Sequence, residues 1–521
     1  MNLASILIES AERLPDKTAL LFGGRSYTYR EFLDRVRILA GSLESLGIGR
    51  GDHVSLIADN SNAVLECVFA CMWIGAVCEQ YNTRLSPLVL GELLGSSPSR
   101  VALASSRCCG ELESLDLRRP DGAAFPLFAI DDGKRPEVPG GAPRAGMAIG
   151  RTYSALMAGA PLEGDPVDLP PEAPCMEFFT SGTTGLPRGV LVSHGPMARR
   201  LAIDCTEMGF SQDDVVLCVL PLYHVTSMAA YVALMVGAEL IISRATDGRS
   251  IARAVNAYGV TRMGIVPFLL RALVAAVQEE RIALPTLALL IYGGEPIDRR
   301  LLQRCRESLD CDLIQGYGMT ETLSAITLLR PLDHCSEDRL DTAGTAVSGM
   351  EVRIVDEGGR PLPVGECGEV AVRTPTLMLG YQDDPQHTAE VIRDGWYLTG
   401  DIGYLDGQGY LTLVDRKHNM IITGGENVYP SEVAKCLLAY DGVVRDAAVV
   451  GIPDDYWGEA LAAFVVLQEG STATPEELIE YCGRRLGMYK RPKRVVFVDS
   501  LRRNASGKVP AEYLRELTAS L

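Results

Sequence analysis

Short apolar runs alternate with amphipathic stretches along the first two thirds of the chain, and that alternation limits the fold more than any other feature. "TYREFLDRVRILAGSLESLG" carries apolar residues at helical spacing and stops at Gly47. "HVSLIA" and "RVALAS" read as short buried strands, with a helix from about Asn62 to Gly75 between them. Strand, helix and strand in succession call for a largely parallel sheet with helices on its faces. A second α/β stretch is expected from "TSGTTGLPRGV" to about Arg330. From Gly344 to Val414 the pattern turns to strands broken by glycine, as in "EVRIVDEGGRPLPVGECGEVAVR", which predicts a smaller β subdomain. From about Asn419 onward, strands mix with two helices. Residues 131–146, "DDGKRPEVPGGAPRAG", read as a Pro/Gly-rich surface connector.

At 521 residues the chain exceeds a single core and predicts two to four domains. The net charge of −18 sets up a field that repels polyanions, so nucleic acid and anionic membrane surfaces are not expected partners. The 14 cysteines form no CxxC pair and no Cys/His spacing of a zinc site, and Cys108 and Cys109 are adjacent. Free buried thiols in a reducing cytoplasm are the expectation. "MNLASILIESAER" has no basic start and meets Glu9 early, unlike a signal peptide. The longest apolar stretch, Met228 to Ala238, is shorter than the ~20 residues of a membrane span. Only 7 of the 49 basic residues are lysines, with none between Lys134 and Lys417. Arginine stands almost wherever a generic cation would serve.

The densest run of small hydroxyl and glycine residues is "TSGTTGLPRGV". Gly182, Gly185 and Gly189 permit tight turns, and Thr180, Ser181, Thr183 and Thr184 add donors that can follow phosphate oxygens. It is no Walker loop: Pro187 stands where that motif needs glycine, and "VLVSH" predicts a strand afterwards rather than a helix. Arg188 occupies the place where such loops usually carry lysine. Alone, a loop of this composition is more often a linker than a phosphate site.

It does not stand alone. "PLYH", "IYGGEP", "QGYGMTE", "GECGEV", "WYLTGD", "DRKHNMIITGGENVYP" and "NASGK" follow it in order. Across essentially its whole length the chain resembles the adenylate-forming superfamily of acyl-CoA synthetases, peptide-synthetase adenylation domains and luciferases. The resemblance implies an N-terminal adenylation domain over 1–415, a hinge at 416–419 and a small mobile α+β domain over 420–521. It also implies the reaction: a carboxylate attacks the α-phosphate of ATP, pyrophosphate leaves, and the acyl group passes from acyl-AMP to a nucleophile. Two anions must meet, so positive charge and a metal matter more than an acid or base.

By resemblance, Thr184 and Glu321 hold Mg²⁺; a hydroxyl before an acid is also the chemistry of a helix N-cap, so Thr320 and Glu321 can open a helix as well. Gly293, Gly294, Glu295, Gln315, Gly316, Tyr317, Gly318 and Met319 wall the adenine, with Tyr317 as a stacking face. Asp401 accepts both ribose hydroxyls, with Leu413 nearby, and Arg416 reaches the ribose or α-phosphate. Lys508 bridges the carboxylate and the α-phosphate. A chain that writes arginine six times in seven has kept lysine there, and a compact ammonium suits a crowded phosphorus centre. Tyr223, His224, Met228, Val266, Gly293, Met319, Leu323 and Ser324 are expected to line an acyl pocket without a counter-charge. That composition favours an aryl or medium-length aliphatic monocarboxylate over a dicarboxylate. His224 is assigned to shaping or gating this pocket.

The C-terminal motifs favour coenzyme A as acceptor. Gly424 and Gly425 match the stretch beside pantetheine, Trp457 a stacking position for the CoA adenine, and Tyr489, Arg491 and Lys493 the nucleotide end. A carrier-protein thiol or an amine is the alternative acceptor within the same fold, and a silent nucleotide-binding homologue the alternative of another class. A homodimer is left open. His418 stands at the hinge where aspartate or lysine is usual, which predicts domain rotation sensitive to pH near neutrality.

Overall fold

The computed structural model describes residues 1–112, 125–130, 152–180, 187–295, 299–423, 426–440, 442–454, 457–503 and 509–519, together with 115, 122 and 297. Of 418, 422, 426, 427, 458, 489, 511, 512 and 515 it describes the backbone. The expected connector at 131–146 lies outside the described residues. The chain divides into two compact units: Met1–Cys335 with Val347–Met350 and Thr374–Glu390, and Ser336–Ala346 with Glu351–Arg373 and Val391–Leu521. The sequence placed a boundary at 415/416; in this division the β-rich segment belongs with the C-terminal part. Contacts within the second unit account for that grouping. Ser431, at the start of helix Pro430–Leu438, donates its N–H to Asp415 (2.9 Å) and its hydroxyl to the Val414 carbonyl (2.5 Å).

The first unit holds two mostly parallel sheets, as the alternating pattern requires. In one, Pro174–Thr180, Val77–Gln80, His53–Ile57, Val101–Ser105 and Leu127–Ile130 run parallel in that order. Arg188–Ser193 adds antiparallel to Pro174–Thr180, and Gly380–Tyr381 adds antiparallel to it in turn. In the other, Asp312–Met319, Leu289–Gly293, Arg262–Ile265, Val215–Cys218, Glu239–Ile242 and Thr18–Phe22 run parallel. The two sheets do not follow the chain's halves. The N-terminal hairpin Thr18–Thr28 joins the later strands, while the strands around "TSGTTG" join the earlier ones.

Local chemistry sets the helices. Tyr29–Ser45 opens on a capping box, the Thr28 hydroxyl accepting from the Glu31 N–H and the Glu31 carboxylate from the Thr28 N–H. Asn62–Ile74 is buried at almost every position, which fits its apolar run, and ends at left-handed Gly75. The second unit has an antiparallel sheet of Glu351–Val355, Gly368–Arg373, Trp396–Leu405 and Leu411–Arg416. It also has a C-terminal α+β part built on Val444–Asp454 and Gly458–Leu467. Among the described residues three helices, not the two expected, accompany those strands: Pro430–Leu438, Pro475–Leu486 and Ala511–Ala519. The third is short, and its Tyr513, Leu514 and Leu517 pack on Phe464 and Val466, contacts that sequence spacing does not reveal. Among the described residues no helix is long and apolar enough to cross a membrane, and all 14 cysteines are free.

Candidate active site

Ser181, Gly182, Thr183, Thr184 and Gly185 lie outside the described residues, as do Gly424, Gly425 and Lys508; so do the side chains of His418 and Tyr489. The strands that flank the first group are described. Thr180 pairs with Arg188 in antiparallel register, and the Thr180 hydroxyl lies 3.4 Å from the Arg188 carbonyl. The segment after Thr374 folds beside them: the Leu379 N–H bonds the Leu191 carbonyl and the Gln382 N–H that of Gly189, both at 2.8 Å. This places Tyr381 and His387 against Arg188.

The Arg188 Nη1 stands 3.2 Å from His387 Nε2, and its guanidinium carbon 6.0 Å from the Tyr381 ring centre. Arginine only donates, so Nε2 accepts and the imidazole proton sits on Nδ1, 3.1 Å from Glu390 Oε2. The His387 and Tyr381 rings stack at 5.0 Å. Tyr381 in turn donates its hydroxyl to Glu321 Oε1 at 2.8 Å, a nearly buried carboxylate. Two further bonds fix this corner, Met378 N–H to the Glu321 carbonyl (2.8 Å) and Thr376 hydroxyl to the Thr322 carbonyl (2.9 Å).

The helix that Thr320 and Glu321 can open is not there. Thr320–Thr322 makes one 3₁₀ turn, and the chain reverses at once into strand Ser324–Leu329, antiparallel to Asp312–Met319. The reversal puts Leu323 and Ser324 at φ of 55° and 107°, left-handed positions that non-glycine residues rarely take and that tend to mark functional turns. Beneath them, buried Arg200 bonds the Ala325 carbonyl (2.8 Å) and its own helix neighbour Asp204. The reversal also requires Gly318, where a Cβ would stand 1.9 Å from the Ser324 carbonyl. A Cβ on Gly293 would stand 2.3 Å from the Gly316 carbonyl, its cross-strand partner.

Residues Gln315 to Thr320 are all partly exposed at this carboxyl end of the parallel strands, where α/β sheets place their ligands. The Gln315 amide lies 3.4 Å from the Tyr292 hydroxyl. Glu295 has a structural partner as well, accepting from the Phe268 N–H (2.6 Å) in the first turn of helix Pro267–Glu280. Val266 and Thr226 stand within 4.0 Å of where a Gly294 Cβ would be. The Tyr223 and His224 rings meet edge to face at 4.7 Å. Burial, then the Arg84 charge, pull the His224 pKa down to about 4, so its imidazole is neutral at pH 7. Tyr223, Met228 and Leu323 are buried, an apolar set.

In the second unit, Asp401 and Arg416 face each other in antiparallel register and pair at 2.6 Å, with the carboxylate nearly buried and the guanidinium two-fifths exposed. Lys417 pairs with nearly buried Glu369 (2.8 Å), which also accepts from the Gly400 N–H (3.1 Å). Leu413 lies on the same strand as Arg416, opposite Gly403. In the C-terminal part the Lys493 ammonium covers the Trp457 ring at 4.4 Å. Burial, then the Arg491 charge, lower the pKa of that lysine.

A family model described as "AMP-binding enzyme" matches residues 7–382, and one described as "AMP-binding enzyme C-terminal domain" matches 432–508. The chain belongs to the AMP-binding enzyme family. Within that family it is an adenylate-forming acid–thiol ligase close to the carboxylate–CoA ligases. It is 34% identical over 514 residues to a feruloyl-CoA synthase of an Amycolatopsis species, covering 98% of this chain and 97% of the relative. It is 32% identical to a fatty acid–[acyl-carrier-protein] ligase of Streptomyces coeruleorubidus, covering 97% and 94%. Among solved structures it resembles the o-succinylbenzoate–CoA synthetase of Bacillus subtilis in complex with ATP and magnesium ion. The TM-score there is 0.82 at 28% identity, covering 98% of this chain and 99% of that one.

Sequence reasoning missed Tyr381, His387, Arg200 and the Lys417–Glu369 pair. "GYQDDPQHT" held a signal, an aromatic and an imidazole together in a polar segment, but nothing in the sequence tied them to Arg188 nearly two hundred residues earlier. Of these, Tyr381 bonds the Glu321 carboxylate and His387 the Arg188 guanidinium.

Proposed function

We propose that this chain is an ATP-dependent, AMP-forming carboxylate–CoA ligase acting on an aryl or medium-chain acid. The observation that carries the reading is the Arg188–Tyr381–Glu321 corner. It holds a guanidinium against neutral groups and, through the same tyrosine, fixes the orientation of a carboxylate, the two things a pyrophosphate and its metal require. Glu321, with Thr184, would hold Mg²⁺, which would supply positive charge to the leaving pyrophosphate. Arg188 donates to the β/γ-phosphates and Asp401 accepts from the ribose hydroxyls. Arg416 holds that carboxylate in place, and Lys508 stabilises the charge that builds as the acid oxygen bonds the α-phosphorus. In the second step the thiol sulfur bonds the acyl carbon and AMP leaves.

The apolar side chains of Tyr223, Met228 and Leu323 support an acid without a second charge. The feruloyl-CoA and o-succinylbenzoate–CoA enzymes among the relatives support an aryl one. Trp457 under Lys493, with Arg491 adjoining, supports a nucleotide-bearing thiol. The carrier-protein ligase among the relatives keeps a protein-bound thiol as the second reading. Fourteen free thiols fit a reducing cytoplasm.

Single-turnover incubation with ATP, Mg²⁺ and a panel of aryl and aliphatic acids, with and without CoA, tests the reading. Pyrophosphate release without CoA and acyl-CoA formation with it are expected. A pyrophosphate burst with no thioester would move the acceptor to a carrier protein or amine, and no pyrophosphate with any acid would defeat the adenylation reading.

A further inference from the structure

In the first unit a second polar cluster lies outside the residues assigned to ATP, acid or CoA. Ser55, Glu79 and Glu177 are register neighbours on three adjacent parallel strands, so their side chains share one face of the sheet. His53 stands two residues before Ser55 on that face. One carboxylate is fully served: Glu79 Oε2 accepts from the Ser55 hydroxyl (2.8 Å), the Tyr81 hydroxyl (2.8 Å) and the Ser97 hydroxyl (2.7 Å). Glu79 Oε1 lies 2.9 Å from His53 Nδ1 and 2.8 Å from the Ser97 hydroxyl.

The other carboxylate is not served. Glu177 is 2% exposed, yet its Oε2 has no hydrogen-bond partner among the described residues. That oxygen points into the cluster, 3.8 Å from His53 Nδ1. The neighbouring strand makes room for it, since a Cβ on Gly189 would stand 1.6 Å from Glu177 Oε1. Two carboxylates side by side and shut away from water repel each other, and a buried oxygen without a partner is costly.

We propose that His53, Glu79 and Glu177 form a structural site for a divalent transition-metal ion, with zinc as the best-fitting candidate. One ligand atom from each residue lies within 4.8 Å of the others. Ligand atoms ~2.0–2.2 Å from a four-coordinate zinc stand about 3.4 Å apart, and the His53 separations of 2.9 and 3.8 Å bracket that spacing. The charge balances too: two carboxylates and a neutral imidazole leave a dication neutral. The hydroxyls of Ser55, Tyr81 and Ser97 orient Glu79 as outer partners do at metal centres. The His53 side chain is 12% exposed, so the cluster reaches solvent on that side. The ion ties three central strands together, one of them the strand that ends at Thr180.

The test uses the full chain, without ATP, so that binding at Glu321 does not enter. After equilibration with zinc and gel filtration, elemental analysis should find about one zinc per wild-type chain and a raised melting temperature. Glu177→Gln and His53→Ala should each lose at least ~10-fold in affinity, and their melting should not respond to zinc. Cobalt(II) should give a d–d spectrum free of thiolate charge transfer. A thiolate band would move the metal to the buried Cys67, Cys71 and Cys78, whose sulfurs also lie within 4.8 Å of one another, and would overturn the assignment. So would a wild type that takes up no more zinc than Glu177→Gln. Should Glu177→Gln fail to fold, the cobalt spectrum of the wild type decides alone.

Discussion

Arg188 and Arg416 each stand at a strand end, and the two units treat them in opposite ways. Around Arg188 the first unit sets a neutral imidazole acceptor and an aromatic face, and no carboxylate pairs with it among the described residues. In the second unit Arg416 is bound to nearly buried Asp401 at 2.6 Å. A guanidinium held by neutral groups keeps its charge for an incoming anion, whereas one in a close ion pair is already balanced. The first arrangement suits polyanionic phosphates. The second suits neutral hydroxyls, for which the strong acceptor is the carboxylate that the arginine holds in place. Under the proposed function, the difference separates a cation for phosphates from a cation that holds an acceptor in place.

The largest effect should come from a third cation. Lys508→Arg keeps the charge but replaces a compact ammonium by a planar fork, and pyrophosphate release is expected to fall ~10³-fold, about 4 kcal/mol of transition-state stabilisation. A rate within a few fold of wild type would show that charge alone suffices there and would erase the distinction from Arg188. Asp401→Ala should follow, with kcat/KM for ATP down about 100-fold, equivalent to two hydrogen bonds to a charged acceptor at ~1.5 kcal/mol each. If the loss fell on the acid or on CoA instead, the second unit's pair would not be a ribose acceptor. Tyr381→Phe removes one hydrogen bond to Glu321 without changing volume, so a loss of about tenfold is expected, carried by a weaker response to Mg²⁺. An unchanged Mg²⁺ titration would dissociate Tyr381 from the metal ligand.

Much of this was legible in the sequence, for physical reasons that also mark where reading stops. Helix Tyr29–Ser45 is written in its capping box, and buried helix Asn62–Ile74 in its apolar run and closing Gly75. Gly293 and Gly318 are glycines because neighbouring carbonyls occupy the Cβ positions, and motif order alone gave their place. Thr320 misled because a hydroxyl before an acid has the chemistry of a helix start, while the left-handed backbone at Leu323 and Ser324 that reverses the chain depends on Gly318 and the hairpin. Tyr381 and His387 were invisible for another reason. They act through a strand pairing between residues near 190 and 380, and no local pattern encodes such pairing. Glu177 could have been noticed as an acid in an otherwise apolar strand, but its unmet oxygen is a property of the packing alone.

The smallest effect sharpens the comparison most. Arg188→Lys preserves charge and loses the His387 contact and the extended face toward Tyr381; His387→Ala removes the same contact from the other side. Each should lower kcat/KM for ATP by only about two- to fivefold, in line with ~0.5–1 kcal/mol for one exchanged hydrogen bond. The informative quantity is the double variant. If His387 acts by orienting the guanidinium, it has nothing left to orient once lysine stands at 188, and the double variant should be no worse than the poorer single one. Independent effects would multiply instead, to about four- to 25-fold. Multiplication would mean that His387 reaches the reaction by another route, through its stacking on Tyr381 and hence Glu321. Non-additivity would show that arginine at 188 and histidine at 387 form one device, in which the imidazole supplies the direction that a planar fork needs and a lysine would not.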